Sequence, residues 1–70
     1  MDVKILKSEL ALRGMAAIEL ANVLKISKTA LYRKLSGKSE FTRREILEIV
    51  KALSLSEGKI MDIFFAQKVS

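Results

Sequence analysis

The sequence predicts an all-α fold, a single small domain built from five helices. Three observations carry this. Apolar residues recur at helical spacing along the chain, and no stretch keeps the strict alternation of a half-buried strand. Proline is absent, so no helix is broken from within. Two of the three glycines, Gly14 and Gly37, fall where a helical pattern ends, the place where a left-handed residue closes a helix. Seventy residues allow one core, and with no cysteine no disulfide supports it. The domain is expected to span residues 1–66, with 67–70 a frayed tail.

The first helix is predicted from Val3 to Arg13, with Asp2 as N-cap and Leu6, Leu10 and Arg13 along one face extended by Val3. The second runs from about Ala16 to Leu24 and buries Leu20, Ala21 and Leu24. Ser27 supplies the acceptor oxygen that starts the third. Leu31 and Leu35, four apart, face inward there, and Gly37 stops the helix. The fourth opens on Thr42-Arg43-Arg44-Glu45, the spacing of a capping box. Ile46, Ile49, Val50 and Leu53 then form its core face. The fifth begins at Ser56 and turns Ile60, Ile63 and Phe64 to one side, with Met61 and Phe65 beside them.

Charge is concentrated. Residues 25–44 hold seven basic side chains against one acid, Glu40, a net +6, while the other fifty residues sum to −1. A localised basic patch on a near-neutral body fits a polyanionic partner, and it also fits a merely solvated charged face. The organisation of the segment separates the two. Only Lys25-Ile26-Ser27 join the second and third helices, and Ile26 can plug the corner. Two short helices so joined make a helix-turn-helix arrangement. An α-helix fits the major groove of B-DNA, where each base pair shows a distinct edge, and the preceding helix braces it across the backbone.

The stretch from Glu19 to Phe41, ELANVLKISKTALYRKLSGKSEF, resembles the helix-turn-helix of the lambda-repressor-like family, the Cro/CI or XRE type. Glu19-Leu20-Ala21, Leu24, Ile26-Ser27, Leu31, Arg33, Gly37 and Lys38 carry the likeness. Leu31–Phe41, LYRKLSGKSEF, is close to short Cro-like phage repressors, and helix number and order extend the likeness over residues 3–65. The resemblance implies that the third helix enters the major groove. Lys28, Thr29, Tyr32 and Arg33 would then touch bases, and Ser27, Lys38, Ser39 and Arg43 would lie along the DNA backbone. It implies a Cro-like phage or prophage repressor, working as a homodimer on a pseudo-palindromic operator. This chain departs from the family at three positions. Lys25 stands where glycine is frequent. Ala16 and Ala17 stand where a polar cap and a glutamine are usual.

Other chemistries find little support. There is no histidine or cysteine, so the usual proton shuttles, thiolate nucleophiles and nitrogen or sulfur metal ligands are missing. Gly37-Lys38-Ser39 looks like the end of a phosphate loop, but that motif needs glycine at position 32, where Tyr32 stands. The Ser-x-x-Lys spacing of Ser56 and Lys59 fits a helix start better than a catalytic pair. The expectation is a non-enzyme with no cofactor, metal or small-molecule substrate. No stretch reads as a secretory signal or reaches the roughly 18 apolar residues of a membrane span, so a cytoplasmic location is expected.

Lys34 is expected to be a plain solvated lysine, and Tyr32, if not a DNA contact, a half-buried ring packed on the second helix. Met61, Phe64 and Phe65 exceed what so small a core needs and are assigned to a dimer surface. The alternative is an antitoxin-type or partner-binding regulator that uses this apolar surface on the fifth helix to hold another protein.

Overall fold

The structure, a computed structural model, describes residues 1–65. The expected frayed tail, residues 67–70, lies outside them. Five helices and no strand are found among the described residues: α1 Val3–Leu12, α2 Ala17–Leu24, α3 Lys28–Leu35, α4 Arg43–Leu53 and α5 Glu57–Phe64. None is long and apolar enough to cross a membrane.

The starts of the helices follow from local side chains. The Asp2 carboxylate accepts from the Lys4 and Ile5 amides at 3.1 and 3.2 Å, which opens α1. The hydroxyls of Ser27 and Ser56 accept from Ala30 and Lys59 and open α3 and α5. At α4 the box is complete: Thr42 Oγ1 accepts from the Glu45 amide, and Glu45 Oε1 accepts from the Thr42 amide at 2.8 Å. Only α2 lacks a capping side chain. Ala16 stands at its N-cap, and Glu19 Oε1 reaches back to the Ala16 amide at 3.2 Å, so half of a box is present.

The ends share one hydrogen-bond motif. At α1, α2, α3 and α4 a residue with positive φ follows the last turn: Gly14, Lys25, Gly37 and Ser54. Its amide, and that of the residue after it, donate back to carbonyls in the final turn, as in a Schellman closure. The following residue is apolar at three of these ends. Leu55 is buried, and Met15 and Ile26 are half-buried against the core. At α3 it is Lys38, exposed to solvent.

The core joins Leu6 and Leu10 of α1, Leu20, Ala21 and Leu24 of α2, Leu31 and Leu35 of α3, Ile49 and Leu53 of α4, and Ile63 of α5. Leu55, which the helical pattern did not include, completes it. Ile46 and Val50, assigned to the core, are half-buried at its edge. The bracing helix α2 packs on both α3 and α4, while α1 pairs with α5. The Asp2 amide donates to the Ile63 carbonyl at 2.7 Å and ties the start of α1 to the end of α5. Arg13 does not extend the apolar face of α1. Its guanidinium bonds Glu9 at 2.8 Å, and Lys59 of α5 lies 3.8 Å from the same carboxylate. Burying seven large apolar side chains completely contributes roughly 1.5–3 kcal/mol each, the main favourable contribution in a domain of this size.

Candidate nucleic-acid interface

The eight residues of α3 divide by helical period. Leu31 and Leu35 are buried, which turns Lys28, Thr29, Tyr32 and Arg33 outward together. All four are exposed. Tyr32 is 49% exposed, so about half of the residue stays open to solvent on this face. The Lys28 ammonium sits 5.8 Å from the centre of the Tyr32 ring, within reach of a cation–π attraction, and this pairing keeps both on one face. The face therefore presents two cations, a hydroxyl with a methyl, and an aromatic ring with a phenolic tip.

The entry to α3 is the turn of Lys25-Ile26-Ser27. Ile26 packs against the core and sets the corner. Lys25 has φ 58° and ψ 40°, a left-handed conformation that costs a residue with a Cβ about 1–2 kcal/mol. This is the strain expected where the resembled family places glycine. The side chain itself is exposed. Ser27 Oγ accepts from the Ala30 amide at 3.0 Å and remains exposed at the start of α3.

The exit is longer. The Arg33 carbonyl accepts from the Lys38 amide at 3.0 Å, the Ser39 amide at 3.3 Å and the Ser36 hydroxyl at 3.0 Å. These bonds fold the loop back beside the last turn of α3. Lys38 and Arg43 are exposed, while Ser39 is half-buried, so Ser39 presents less of itself than expected. Behind the loop lies an open cleft of about 540 Å³ bordered by Val3, Leu35, Phe41, Ile46 and Phe64.

Lys34 differs from its expectation. It is not a solvated lysine. Its ammonium donates to Glu45 Oε1 at 3.0 Å and to the Glu40 carbonyl at 3.1 Å, and it lies 5.8 Å from the Phe41 ring. The side chains of the pair are only 15% and 5% exposed. Burial pushes the Glu45 carboxyl toward the neutral form, but the Thr42 amide, the Lys34 ammonium and the Thr42 hydroxyl together outweigh it and hold the pKa below the ordinary glutamate value.

The ion pairs sharpen the charge picture. Three are present among the described residues: Arg13–Glu9, Lys34–Glu45 and Lys59–Glu9. Of the seven cations in residues 25–44, only Lys34 has an ion-pair partner among the described residues. Lys25, Lys28, Arg33, Lys38, Arg43 and Arg44 are exposed, with no carboxylate of the described residues in ion-pair range. Lys25 and Arg44 thus join the exposed basic set, although the motif had assigned them no contact. The Lys34–Glu45 bridge was missed because it joins two helices across a loop whose path helical periodicity does not encode. Only Glu45's place in the capping box was legible.

Met61 of α5 and Phe65, just past its end, are each 57% exposed. Phe64 is half-buried and packs against the core. No protein-family model matches this chain, and no curated protein or solved structure matches it either.

Proposed function

We propose that this chain is a sequence-specific double-stranded DNA-binding transcriptional regulator of the lambda-repressor-like, Cro-like type. In this reading α2 and α3 form the helix-turn-helix and α3 enters the major groove. The observation that carries it is the outward grouping of Lys28, Thr29, Tyr32 and Arg33 on a helix flanked by uncompensated cations. Arg33 and Lys28 suit guanine O6 and N7, and the Thr29 methyl suits a thymine methyl. Lys38 and Arg43 supply phosphate contacts that place the helix without reading sequence. The protein acts by occupancy: a dimer on a pseudo-palindromic operator, with recognition helices about 34 Å apart, blocks a competing regulator or polymerase.

The test is selection of bound sequences from a random duplex pool, followed by salt-titrated binding to the selected site. About three or four phosphates per subunit give a slope of log K against log salt near −3 per subunit. Arg33→Ala is expected to lose about 1–3 kcal/mol and to relax sequence preference at one position of each half-site. If the wild type holds duplex DNA no better than a generic basic peptide at moderate salt, the reading fails.

A second reading rests on the bare start of α2 and the exposed Met61 and Phe65. In this reading the protein is an antitoxin-type or partner-binding regulator, and the α5 surface holds another protein. A Phe65→Ala variant that keeps DNA affinity and self-association unchanged argues against α5 as the dimer surface.

A further inference from the structure

The end of α3 lacks the apolar residue that directly follows the left-handed position at the ends of α1, α2 and α4. Each Schellman closure at α1, α2 and α4 is followed by an apolar residue packed into or against the core. After α3 that position is Lys38, which points to solvent and cannot hold the loop down. The loop is nevertheless fastened at its far side. The Lys34 ammonium, from the last turn of α3, bonds the Glu40 carbonyl within the loop and Glu45 Oε1 in the first turn of α4. The same Glu45 oxygen accepts from the Thr42 amide. One lysine thus ties the end of α3, the middle of the loop and the start of α4 into a single polar knot. Phe41, beside that ammonium, packs against the core.

We infer that Lys34 and Glu45 are positioning residues for the DNA-binding face, holding the 36–42 loop so that Lys38 and Arg43 stand at a fixed place relative to the exposed side of α3. The inference rests on the DNA-binding reading for its consequence, though not for the knot itself. The reason is geometric. Phosphate contacts set register and orientation on the duplex, so they help only if they keep a constant spacing from the base-reading side chains. Backbone bonds to the Arg33 and Lys34 carbonyls tie Lys38 to the end of α3 and Phe41 seats the far side of the loop on the core, while the knot sets how that loop and Arg43 of α4 stand against the exposed side of α3. Charge alone makes the opposite forecast for one variant, and this separates positioning from electrostatics. Glu45→Gln keeps an oxygen to accept from the Thr42 amide but removes a negative charge, so a purely electrostatic surface would bind DNA more tightly.

The experiment compares Glu45→Gln, Lys34→Met and Lys34→Arg in the full chain, at a temperature where circular dichroism shows each folded. Two readouts are taken: affinity for a mixed-sequence DNA duplex at fixed salt, and amide hydrogen exchange at Ser39 and Thr42 against Leu24 in α2. Glu45→Gln is expected to weaken duplex binding about tenfold despite the gain in net positive charge. Lys34→Met is expected to do the same, and Lys34→Arg to restore affinity to within about twofold. Exchange at Ser39 and Thr42 should accelerate in the first two variants, with Leu24 unchanged.

Equal or tighter binding by Glu45→Gln overturns the positioning role. If the wild type has no duplex affinity, the DNA reading falls, and the exchange readout then decides the knot alone. Unchanged exchange at Ser39 and Thr42 in both variants shows that the bridge does not hold the loop.

Discussion

The two turns that flank α3 solve the same problem with opposite residues. Each starts with a left-handed residue and a pair of amides donating backward. At the entry the left-handed residue is Lys25 and the next, Ile26, packs inward. At the exit it is Gly37 and the next, Lys38, points outward. The entry is therefore fixed by apolar contact and carries its cation in a strained conformation. The exit is free of that strain, and the Lys34–Glu45 bridge fastens it together with Phe41 farther along the loop. The comparison shows that a cation can be displayed beside a helix end in two ways, and that each leaves a different weak point.

Breaking the exit should have the largest effect. Glu45→Ala removes the partner of a mostly buried lysine together with the acceptor for the Thr42 amide. Truncating one member of a buried pair costs up to 3–5 kcal/mol, and Lys34 recovers part of this by reaching solvent, so about 3 kcal/mol is expected. In a domain of this length that lowers the thermal midpoint by more than about 10 °C, measurable by circular dichroism. The exit should also be the acid-labile turn. The Glu45 pKa is depressed in the fold, so its contribution is present in full above the unfolded value of about 4.3. It is lost as pH falls below that value and through the folded pKa, because the unfolded chain then binds the proton first. Chemical denaturation between pH 6 and pH 3 should show a stability loss that Glu45→Gln largely abolishes. The entry turn has no such carboxylate, and amide exchange at Ile26 should follow only the global change.

How much of this was legible in the sequence depends on the range of the interaction. The starts of α1, α3, α4 and α5 were readable because a cap acts within three residues, as Thr42 and Glu45 do. The outward group on α3 was readable because Leu31 and Leu35 fix its phase. The strain at Lys25 was readable as a departure from glycine. The Lys34–Glu45 bridge was not, since it joins two elements through a loop whose path no periodicity encodes. Leu55 was missed for a related reason. It lies after α4 ends, outside any helical repeat, and is buried only because the left-handed Ser54 turns it inward. Phe64 falls on the face of Ile60 and Ile63 and yet was assigned to the dimer surface, because Met61, Ile63, Phe64 and Phe65 place four large apolar residues in five positions. Only the packing of α5 against α1 selects which of them enters the core.

The entry turn gives the next largest effect. Ile26 is half-buried, so Ile26→Ala removes part of a core contact and should cost about 1–2 kcal/mol by denaturant unfolding. It should leave amide exchange at Thr42 unaltered beyond the global change. An equal rise in exchange at both turns would mean that they form one cooperative unit, and the contrast between them would dissolve.

The smallest effect asks why Lys25 is there. Replacing a left-handed lysine by glycine relieves about 1 kcal/mol of strain, while the more flexible unfolded chain takes back part of it. Lys25→Gly should therefore stabilise the fold by about 0.5 kcal/mol. Ser54→Gly is the internal control, since Ser54 has φ 49° at the end of α4 and carries no charge. Both variants should gain similar stability in urea unfolding. Duplex affinity then separates them. A loss in Lys25→Gly alone, with the salt slope falling by about 0.9, identifies the Lys25 ammonium as a phosphate contact. The strained backbone would then be the means by which the entry turn carries a cation, as the unstrained exit carries Lys38. Equal affinity in both variants would leave the lysine as strain without a binding role, and the two turns would differ in function as well as in construction.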